Sequence, residues 1–180
     1  PLHAAFEVRK VFMASMQAVS GAGYPGVASL DIIGNVVPYV PGEEDKFQQE
    51  LGKLLGALTT DTITSPDLVV SGHANRVPVL DGHTVSVSAG FAQHPSPSEA
   101  QQALRSYTPP DICRELPSSP DRLIYVRTEP DRPQPRRDRD AAGGMAVSVG
   151  RVRPCPILDL RFTTVAHNTP SRLTSNGPSA

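Results

Sequence analysis

The sequence contains no tryptophan, only two cysteines and no long hydrophobic run. Cys113 and Cys155 have neither CxxC spacing nor nearby histidines, so a disulfide framework and a zinc or other metal site are both disfavoured, and we expect structural thiols. The apolar runs are a few residues long, and the first residues lack a signal pattern. We therefore expect a cytoplasmic protein with neither a membrane span nor a secretion signal.

The sequence also lacks an excess of basic or of acidic residues. The 17 basic and 18 acidic residues leave a net charge of -1, so nothing in the composition favours nucleic acid or an anionic membrane. The 180 residues, 38% of them hydrophobic, are enough for one domain with a sizeable core. We expect a small-molecule substrate or a protein partner, and no nucleic acid or membrane.

Hydrophobic spacing predicts a mixture of strands and helices. The apolar run 10–19 predicts a buried strand, and 43–58 predicts an amphipathic helix because it follows Pro41-Gly42 and carries acids in its first turn. A second helix is predicted at 98–107, beginning at Ser98. Further strands are predicted at 68–70, 77–80, 84–88, 145–149 and 157–162.

Proline and charge dominate residues 108–139, which we expect to form a long surface excursion inside one domain covering 1–169. Residues 170–180 lose all periodicity, and we expect an irregular tail.

The glycines at 21–26 spell GAGYPG, which matches the GxGxxG of dinucleotide-binding proteins. In that fingerprint a helix begins within the glycine loop, but Pro25 removes an amide there, and further prolines leave no room for a crossover helix. We therefore disfavour a Rossmann fold. The glycines still allow a close approach of the backbone to a ligand.

Arg76 and His83 lie seven residues apart around Asp81-Gly82, a dipeptide typical of tight hairpin turns. A hairpin places both side chains on one face of a sheet, whereas a single straight strand places them on opposite faces. An anion-binding guanidinium and a titratable imidazole suit a catalytic site. The alternative is a surface arginine that pairs with an acid and a histidine whose hydrogen bonds are satisfied within the fold.

Four motifs occur together and in order: MQAVSGAGYPG at 16–26, ELGKLLG at 50–56, RVPVLDGHT at 76–84 and DRPQPR at 131–136. From about residue 1 to 169 the chain resembles the C-terminal catalytic and dimerisation half of aspartate-semialdehyde dehydrogenase, in its fungal and archaeal branch. The resemblance implies an α+β fold, with a mixed β-sheet covered on one face by helices, as in the C-terminal domain of glyceraldehyde-3-phosphate dehydrogenase. The N-terminal Rossmann domain of the family is absent. The other face would pair with a second copy in a homodimer or homotetramer.

That family reduces β-aspartyl phosphate to aspartate semialdehyde with NADPH, releasing phosphate, on the route to lysine, threonine, methionine and isoleucine. A cysteine forms a thioacyl intermediate. The resemblance implies that His83 is the general acid and base and that Gln17 orients the acyl group. Arg76 would bind the substrate carboxylate, Glu50 its ammonium and Lys53 the phosphate.

NADP would be bound mainly by the missing domain, with four residues of this chain near the nicotinamide: Ser20, Gly21, Gly23 and Asn168. The chain departs from the family at two points. The Asn-Cys-Ser or Asn-Cys-Thr motif with the nucleophile does not occur, and Pro170 stands where the family continues as a helix. We therefore expect a folded catalytic domain that does not turn over alone. Alternatives are a non-catalytic dimerisation module on the same scaffold and a related acyl-phosphate reductase.

Overall fold

The computed structural model describes residues 1–169, and the tail predicted at 170–180 lies outside them. The strands are β1 Val8–Gln17, β2 Ala57–Leu58, β3 Ile63–Thr64, β4 Val69–Arg76, β5 His83–Phe91, β6 Ile124–Val126, β7 Val147–Pro154 and β8 Leu160–Ala166. The helices are α1 Leu2–Phe6, α2 Ser29–Ile32, α3 Glu43–Leu54, α4 Pro97–Arg105, α5 Asp111–Arg114 and α6 Pro135–Asp138, with 3-10 turns at Val19–Ala22 and Ala141–Gly144.

Six strands form one mixed sheet in the order β4-β1-β5-β8-β7-β6. The outer pairs β1/β4 and β6/β7 are parallel, and the central pairs are antiparallel. A separate two-stranded ribbon pairs β2 with β3. Because β1 lies between β4 and β5, two strands that are close in sequence do not touch in the sheet.

The hydrophobic core lies on one face of the sheet, under helices. Val8, Ala89, Phe91 and Leu160 from the strands pack with Ala100 of α4. Helix α3 covers β4 on the same side, where Phe47 packs so closely on Gly72 that an added Cβ would lie 2.5 Å from its ring. This arrangement confirms the α+β fold, with the two longest helices, α3 and α4, on one face of the mixed sheet.

Side chains that alternate with the core point to the opposite face, where the segment 131–139, which includes α6, covers the sheet at Gly82 and Gly150 and leaves the side of β4 and β1 open. The residues exposed on this face include Phe12, Ser71, His73, Ser86 and Arg161. Phe12 remains 45% exposed although its ring meets that of His73 edge to face. An aromatic ring on a bare sheet face makes this surface suitable for contact with another protein.

Both predicted helices form, but their limits differ from the prediction. Helix α3 ends at Leu54, because the chain then turns into the β2/β3 ribbon, and Leu58 belongs to β2. The cap of α4 is Ser96, not Ser98: its hydroxyl accepts from the Glu99 amide, and the Glu99 carboxylate accepts from the Ser96 amide. Pro97 then fits the first turn, where its missing N–H is not needed.

The predicted strands at 68–70, 84–88, 145–149 and 157–162 correspond to β4, β5, β7 and β8, with shifted limits. The strand predicted at 77–80 is wrong, since these residues form a loop. The region predicted as a surface excursion, 108–139, is only partly one. It contributes the edge strand β6 and the fully buried Asp138. Among the described residues, no helix is long and apolar enough to cross a membrane.

Candidate active site

Three strand ends bring the predicted site residues together. Gln17 ends β1 and pairs in register with Arg76, which ends β4 on one side. On the other side His83 begins β5, next to the Met16–Thr84 pair. The segment is neither of the two alternatives considered for it, a hairpin or a single straight strand, because a crossover carries the chain from β4 past β1 to β5. Arg76 and His83 flank the end of β1.

Ala18, the residue after β1, connects the arginine to the histidine. Its carbonyl accepts a hydrogen bond from Nη1 of Arg76 at 2.8 Å, and its N–H donates to Nδ1 of His83 at 3.2 Å. Since Nδ1 acts as the acceptor, the neutral ring carries its proton on Nε2. The backbone thus fixes the tautomer of His83 and leaves Nε2 for proton exchange.

The 3-10 turn Val19–Ala22 folds over these side chains. A Cβ on Gly21 would lie 2.8 Å from Cε1 of His83 and 3.0 Å from Nη1 of Arg76, so a larger residue here would displace these two side chains. Gly23 has φ +69° and open space where a side chain would stand. The glycine loop therefore presents bare backbone next to the imidazole. No helix starts within it, which confirms that GAGYPG is not a dinucleotide fingerprint.

Asn168, just after β8, ties this turn to the start of β5. Its Nδ2 donates to Oγ of Ser20 at 2.8 Å, and its Oδ1 accepts from the N–H of Gly82 at 2.8 Å. The predicted residues Gln17, Ser20, Gly21, Arg76, His83 and Asn168 thus form one group.

An acid and a base that sequence reasoning missed complete the group. Glu43 opens α3, and its Oε2 accepts from Nε2 of Gln17 at 3.0 Å while Oε1 lies 2.9 Å from Nζ of Lys46. The hydrogen bonds from Lys46 and Gln17 lower the pKa of Glu43 against the opposing effect of burial, so this carboxylate is ionised.

Glu50 and Lys53 do not join this group. Both are exposed, and they lie seven residues further along α3 than Glu43 and Lys46, about 10 Å down the helix axis. The helix runs with its first turn at the Arg76 end of β4, as the Glu44 bond to the Ala74 amide shows, so later turns lie farther from the site. The acid and base of α3 that lie at this group are Glu43 and Lys46, which have the same spacing of three as Glu50 and Lys53.

Burial and charge set the protonation of the site. Burial lowers the pKa of His83, the Arg76 charge lowers it further, and Glu43 opposes both. Burial also lowers the pKa of Arg76, and Glu43 again opposes the change. His83 is thus held neutral near pH 7 next to a fixed positive charge, which suits a residue that accepts a proton and returns it.

The thiol of Cys155 lies far from this group. It contacts Ser88, five positions along β5 from His83, about 16 Å away. Cys113 lies on α5 and, within residues 1–169, forms no hydrogen bond with the site. The sequence-based view of both thiols as structural is consistent with these positions.

Comparison with known proteins now gives the family. The family described as semialdehyde dehydrogenase, dimerisation domain, matches residues 1–170. The chain belongs to this family. A site made of Gln17, Arg76 and His83 therefore lies in a semialdehyde dehydrogenase dimerisation domain.

Curated relatives agree with this assignment. The chain is 48% identical over 169 residues to the aspartate-semialdehyde dehydrogenase of Trichophyton rubrum, covering 90% of this chain and 47% of that protein. It is 50% identical over 162 residues to that of Archaeoglobus fulgidus, covering 90% and 46%. The chain thus spans about half the length of the curated relatives it matches.

Solved structures show the same fold. The aspartate semialdehyde dehydrogenase of Candida albicans, solved with NADP, superposes with a TM-score of 0.83 at 41% identity, covering 94% of this chain and 48% of that one. A Vibrio cholerae enzyme, aspartate semialdehyde dehydrogenase II, gives a TM-score of 0.69 at 22% identity, which shows a shared fold alone.

The sequence contains a pattern that could have indicated Glu43 and Lys46. Glu43 and Lys46 lie three apart in the first turn of α3, and acids at a helix start are often fixed by a local partner. Glu50 and Lys53 repeat that spacing, so spacing alone could not choose between them. The choice depends on which turn of α3 lies next to the end of β1.

Proposed function

We propose that the chain is the substrate-binding and acid–base half of an NADP-dependent aspartate-semialdehyde dehydrogenase that acts in the cytoplasm. The reaction is the reductive dephosphorylation of β-aspartyl phosphate to aspartate semialdehyde. The observation that carries this proposal is the convergence of Gln17, Arg76 and His83 from three strands, with Glu43 and Lys46 added by α3. Family membership supplies the reaction class.

His83 acts as the general acid and base. Its Nδ1 is occupied by the Ala18 amide, so Nε2 is the atom that exchanges protons with a thiol and with the acyl group. The lowered pKa keeps the ring neutral and ready to accept a proton. Gln17, fixed by its bond to Glu43, orients the acyl group with the remaining polar atoms of its amide.

Substrate charges are matched by charges of the site. Arg76 uses Nη1 on the Ala18 carbonyl and can offer its other N–H groups as a planar fork to the substrate carboxylate. Glu43 is ionised and can bind the substrate ammonium, and Lys46 can bind phosphate as a point charge. These two residues take the roles first assigned to Glu50 and Lys53.

The glycine turn fits a flat ring. Gly21 and Gly23 are exposed and carry no side chain, so a nicotinamide can lie on bare backbone next to His83 and Ser20. When bound, NADPH supplies the hydride. We keep Ser20, Gly21, Gly23 and Asn168 as the residues of this chain that lie near the nicotinamide.

A reconstitution assay tests the function. We expect no NADP- and phosphate-dependent oxidation of aspartate semialdehyde by this chain alone, because no cysteine of residues 1–169 is placed at His83 in the structure. Fusing the N-terminal half of the Trichophyton rubrum relative to this chain should give activity. His83→Asn in the fusion should reduce kcat by about 10²- to 10⁴-fold.

Turnover by the chain alone, or an active fusion that is insensitive to His83→Asn, would contradict the proposal. A fusion that folds but remains inactive on all substrates favours a non-catalytic module. A preference for another acyl phosphate over β-aspartyl phosphate favours the related reductase.

The uncovered part of the sheet face opposite the core is the proposed contact with a second copy, which gives a homodimer or a larger homo-oligomer. Phe12 and His73 lie on this part, on the neighbouring strands β1 and β4. Phe12→Arg should shift the chain to a monomer in analytical ultracentrifugation, because two unpaired cations would be buried across the contact. Ile112→Arg on α5, a side chain that is 79% exposed, is the control and should not change the mass.

A further inference from the structure

Asn168 occupies a bridging position between two turns. One is the 3-10 turn Val19–Ala22 above His83, and the other is the Asp81-Gly82 turn directly before it. The amide of Asn168 holds both, through Oγ of Ser20 and the N–H of Gly82, each at 2.8 Å. Asn168 itself is anchored by β8, whose Ala166 pairs with His83.

The two turns also meet through backbone bonds, Val19 N–H to the Val79 carbonyl and Ser20 N–H to the Leu80 carbonyl. These bonds fix the turn Val19–Ala22 against the loop after β4. Neither of them reaches Gly82, whose N–H is satisfied by Asn168. A buried N–H without a partner is costly, so the Asn168 bond decides how the last residue before His83 is placed.

We propose that Asn168 is a positioning residue that sets the environment of His83 by clamping the glycine turn onto the start of β5. The clamp presses Gly21 against the imidazole and keeps water from that side of the ring. It also holds the Ala18 amide in line with Nδ1. The residue acts on His83 through backbone and does not touch the reacting atoms. The functional meaning of this inference rests on the proposed role of His83, whereas its test does not.

The charged groups around His83 come from several elements. The charges of Arg76 on β4 and Glu43 on α3 act on the pKa of His83 in opposite directions, Arg76 lowering it and Glu43 raising it. More distant charges belong to the turns that Asn168 joins and to their neighbours: Asp81, Arg139 on the Asp81 carbonyl, and the His167–Asp140 pair. A new charge at position 168 would therefore act on the His83 pKa together with these named charges.

Two variants separate the clamp from a general effect on folding. Asn168→Ala removes both side-chain bonds. Asn168→Asp keeps them, because a carboxylate accepts from Gly82 and the Ser20 hydroxyl can turn to donate, but it adds a negative charge. Asn35→Ala is the matched control, since Asn35 is exposed and bonds only within its own loop.

The measurement is an NMR titration of His83 together with amide exchange of Gly82, in the present chain and without turnover. For Asn168→Ala we expect exchange at Gly82 to be about tenfold faster, the factor that corresponds to roughly 1.4 kcal/mol, and the His83 pKa to rise towards its ordinary value as the ring becomes hydrated. For Asn168→Asp we expect Gly82 to stay protected while the His83 pKa rises, because a carboxylate stabilises the imidazolium.

Unchanged Gly82 exchange and an unchanged His83 titration in Asn168→Ala would overturn the clamp. If that variant does not fold, Ser20→Ala decides, because it removes the bond between Asn168 and the glycine turn: an unaltered His83 titration there would also overturn the clamp. Lack of activity in the fusion assay would contradict the proposed dehydrogenase function but would not change the NMR and exchange results for the Asn168 variants. The two proposals are therefore tested independently.

Discussion

Two groups of arginines and carboxylates, one at Asp138 and one at His83, lie against the same sheet. They differ in how many of their donors and acceptors have a hydrogen-bond partner within the protein. At Asp138, which is fully buried, Arg132 binds both carboxylate oxygens and the Gln134 N–H donates at 2.6 Å. Arg127 adds an ion pair at 2.9 Å, although its Nε–H is not aligned with the oxygen. Almost every acceptor position of Asp138 is taken.

The group at His83 is left open. The guanidinium of Arg76 makes one hydrogen bond, to the Ala18 carbonyl, and Glu43 is shared between Gln17 and Lys46. Among the described residues, the buried side-chain nitrogens without a partner belong to Arg127 and Arg139 and not to Arg76, so the remaining N–H groups of Arg76 reach solvent and are available to a ligand. The comparison indicates that the Asp138 cluster stabilises the fold, whereas the group at His83 leaves donors free, as the proposed binding of a substrate requires.

The Asp138 cluster also supports the site from outside. Pro135 and Arg139, from the same segment, lie against Gly82, where an added Cβ would be 2.9 Å from Cβ of Arg139. Burial alone would raise the pKa of Asp138, but the hydrogen bonds from Arg132 and Gln134 and the Arg127 charge lower it. An ionised Asp138 therefore fixes the segment on which the Asp81-Gly82 turn rests.

The largest expected effect is on folding. Asp138→Ala should lower the free energy of unfolding by about 3–5 kcal/mol, because it leaves two arginines without their buried partner. Urea unfolding followed by circular dichroism measures this. Asp131→Ala is the control: Asp131 is 62% exposed and lies 4.0 Å from Arg137, so its loss should change little. If both substitutions lowered the free energy of unfolding equally, the Asp138 cluster could not be assigned a special role in stability.

The next effect is on activity without a loss of stability. Arg76→Lys in the reconstituted fusion should reduce kcat/KM by about 10- to 100-fold, since a point charge cannot replace a two-pronged bond to a carboxylate. The urea midpoint should change little, in contrast to Asp138→Ala. Arg137→Lys, at an exposed position, serves as the control. A large loss of stability in Arg76→Lys would show instead that Arg76 mainly stabilises the fold.

A smaller effect distinguishes the two acid–base pairs of α3. Glu43→Gln in the fusion should raise KM for aspartate semialdehyde about tenfold, because the charge that meets the ammonium is lost. Glu50→Gln should leave KM unchanged, since Glu50 is exposed on a later turn. The opposite result would restore Glu50 and Lys53 as the substrate pair.

The smallest effect is the pH dependence of stability that comes from His83. Its folded pKa lies below the ordinary 6.5, so between those two values the unfolded chain binds more protons than the folded one. Stability therefore falls as pH drops below about 6.5 and through the folded pKa. Thermal unfolding from pH 5 to 8 should show a flatter profile in His83→Asn than in the parent chain. Identical slopes would show that His83 is not held neutral by the fold.

Local patterns predicted most of the elements. The start of α3 after Pro41-Gly42, the alternation that became β5 and the apolar run that became β1 all depend on contacts within a few residues. Their limits were less accurate, because Leu58 and Ser98 satisfy the local pattern equally well. The edge strand β6 could not be predicted, since its three residues stand in a proline-rich segment and form a strand only by pairing with β7.

The sequence by itself predicted much of the candidate site: Arg76, His83 and the glycine turn stand out by residue type and spacing, and the resemblance adds Gln17. Only the tertiary structure decided how they meet. The sheet order β4-β1-β5 places Arg76 and His83 on either side of β1, and the packing of α3 brings its first turn, with Glu43, to Gln17 and leaves Glu50 and Lys53 on later, exposed turns. The physical reason is that residue spacing fixes which side chains share a helix or strand face, whereas the order of strands depends on burial across the whole sheet.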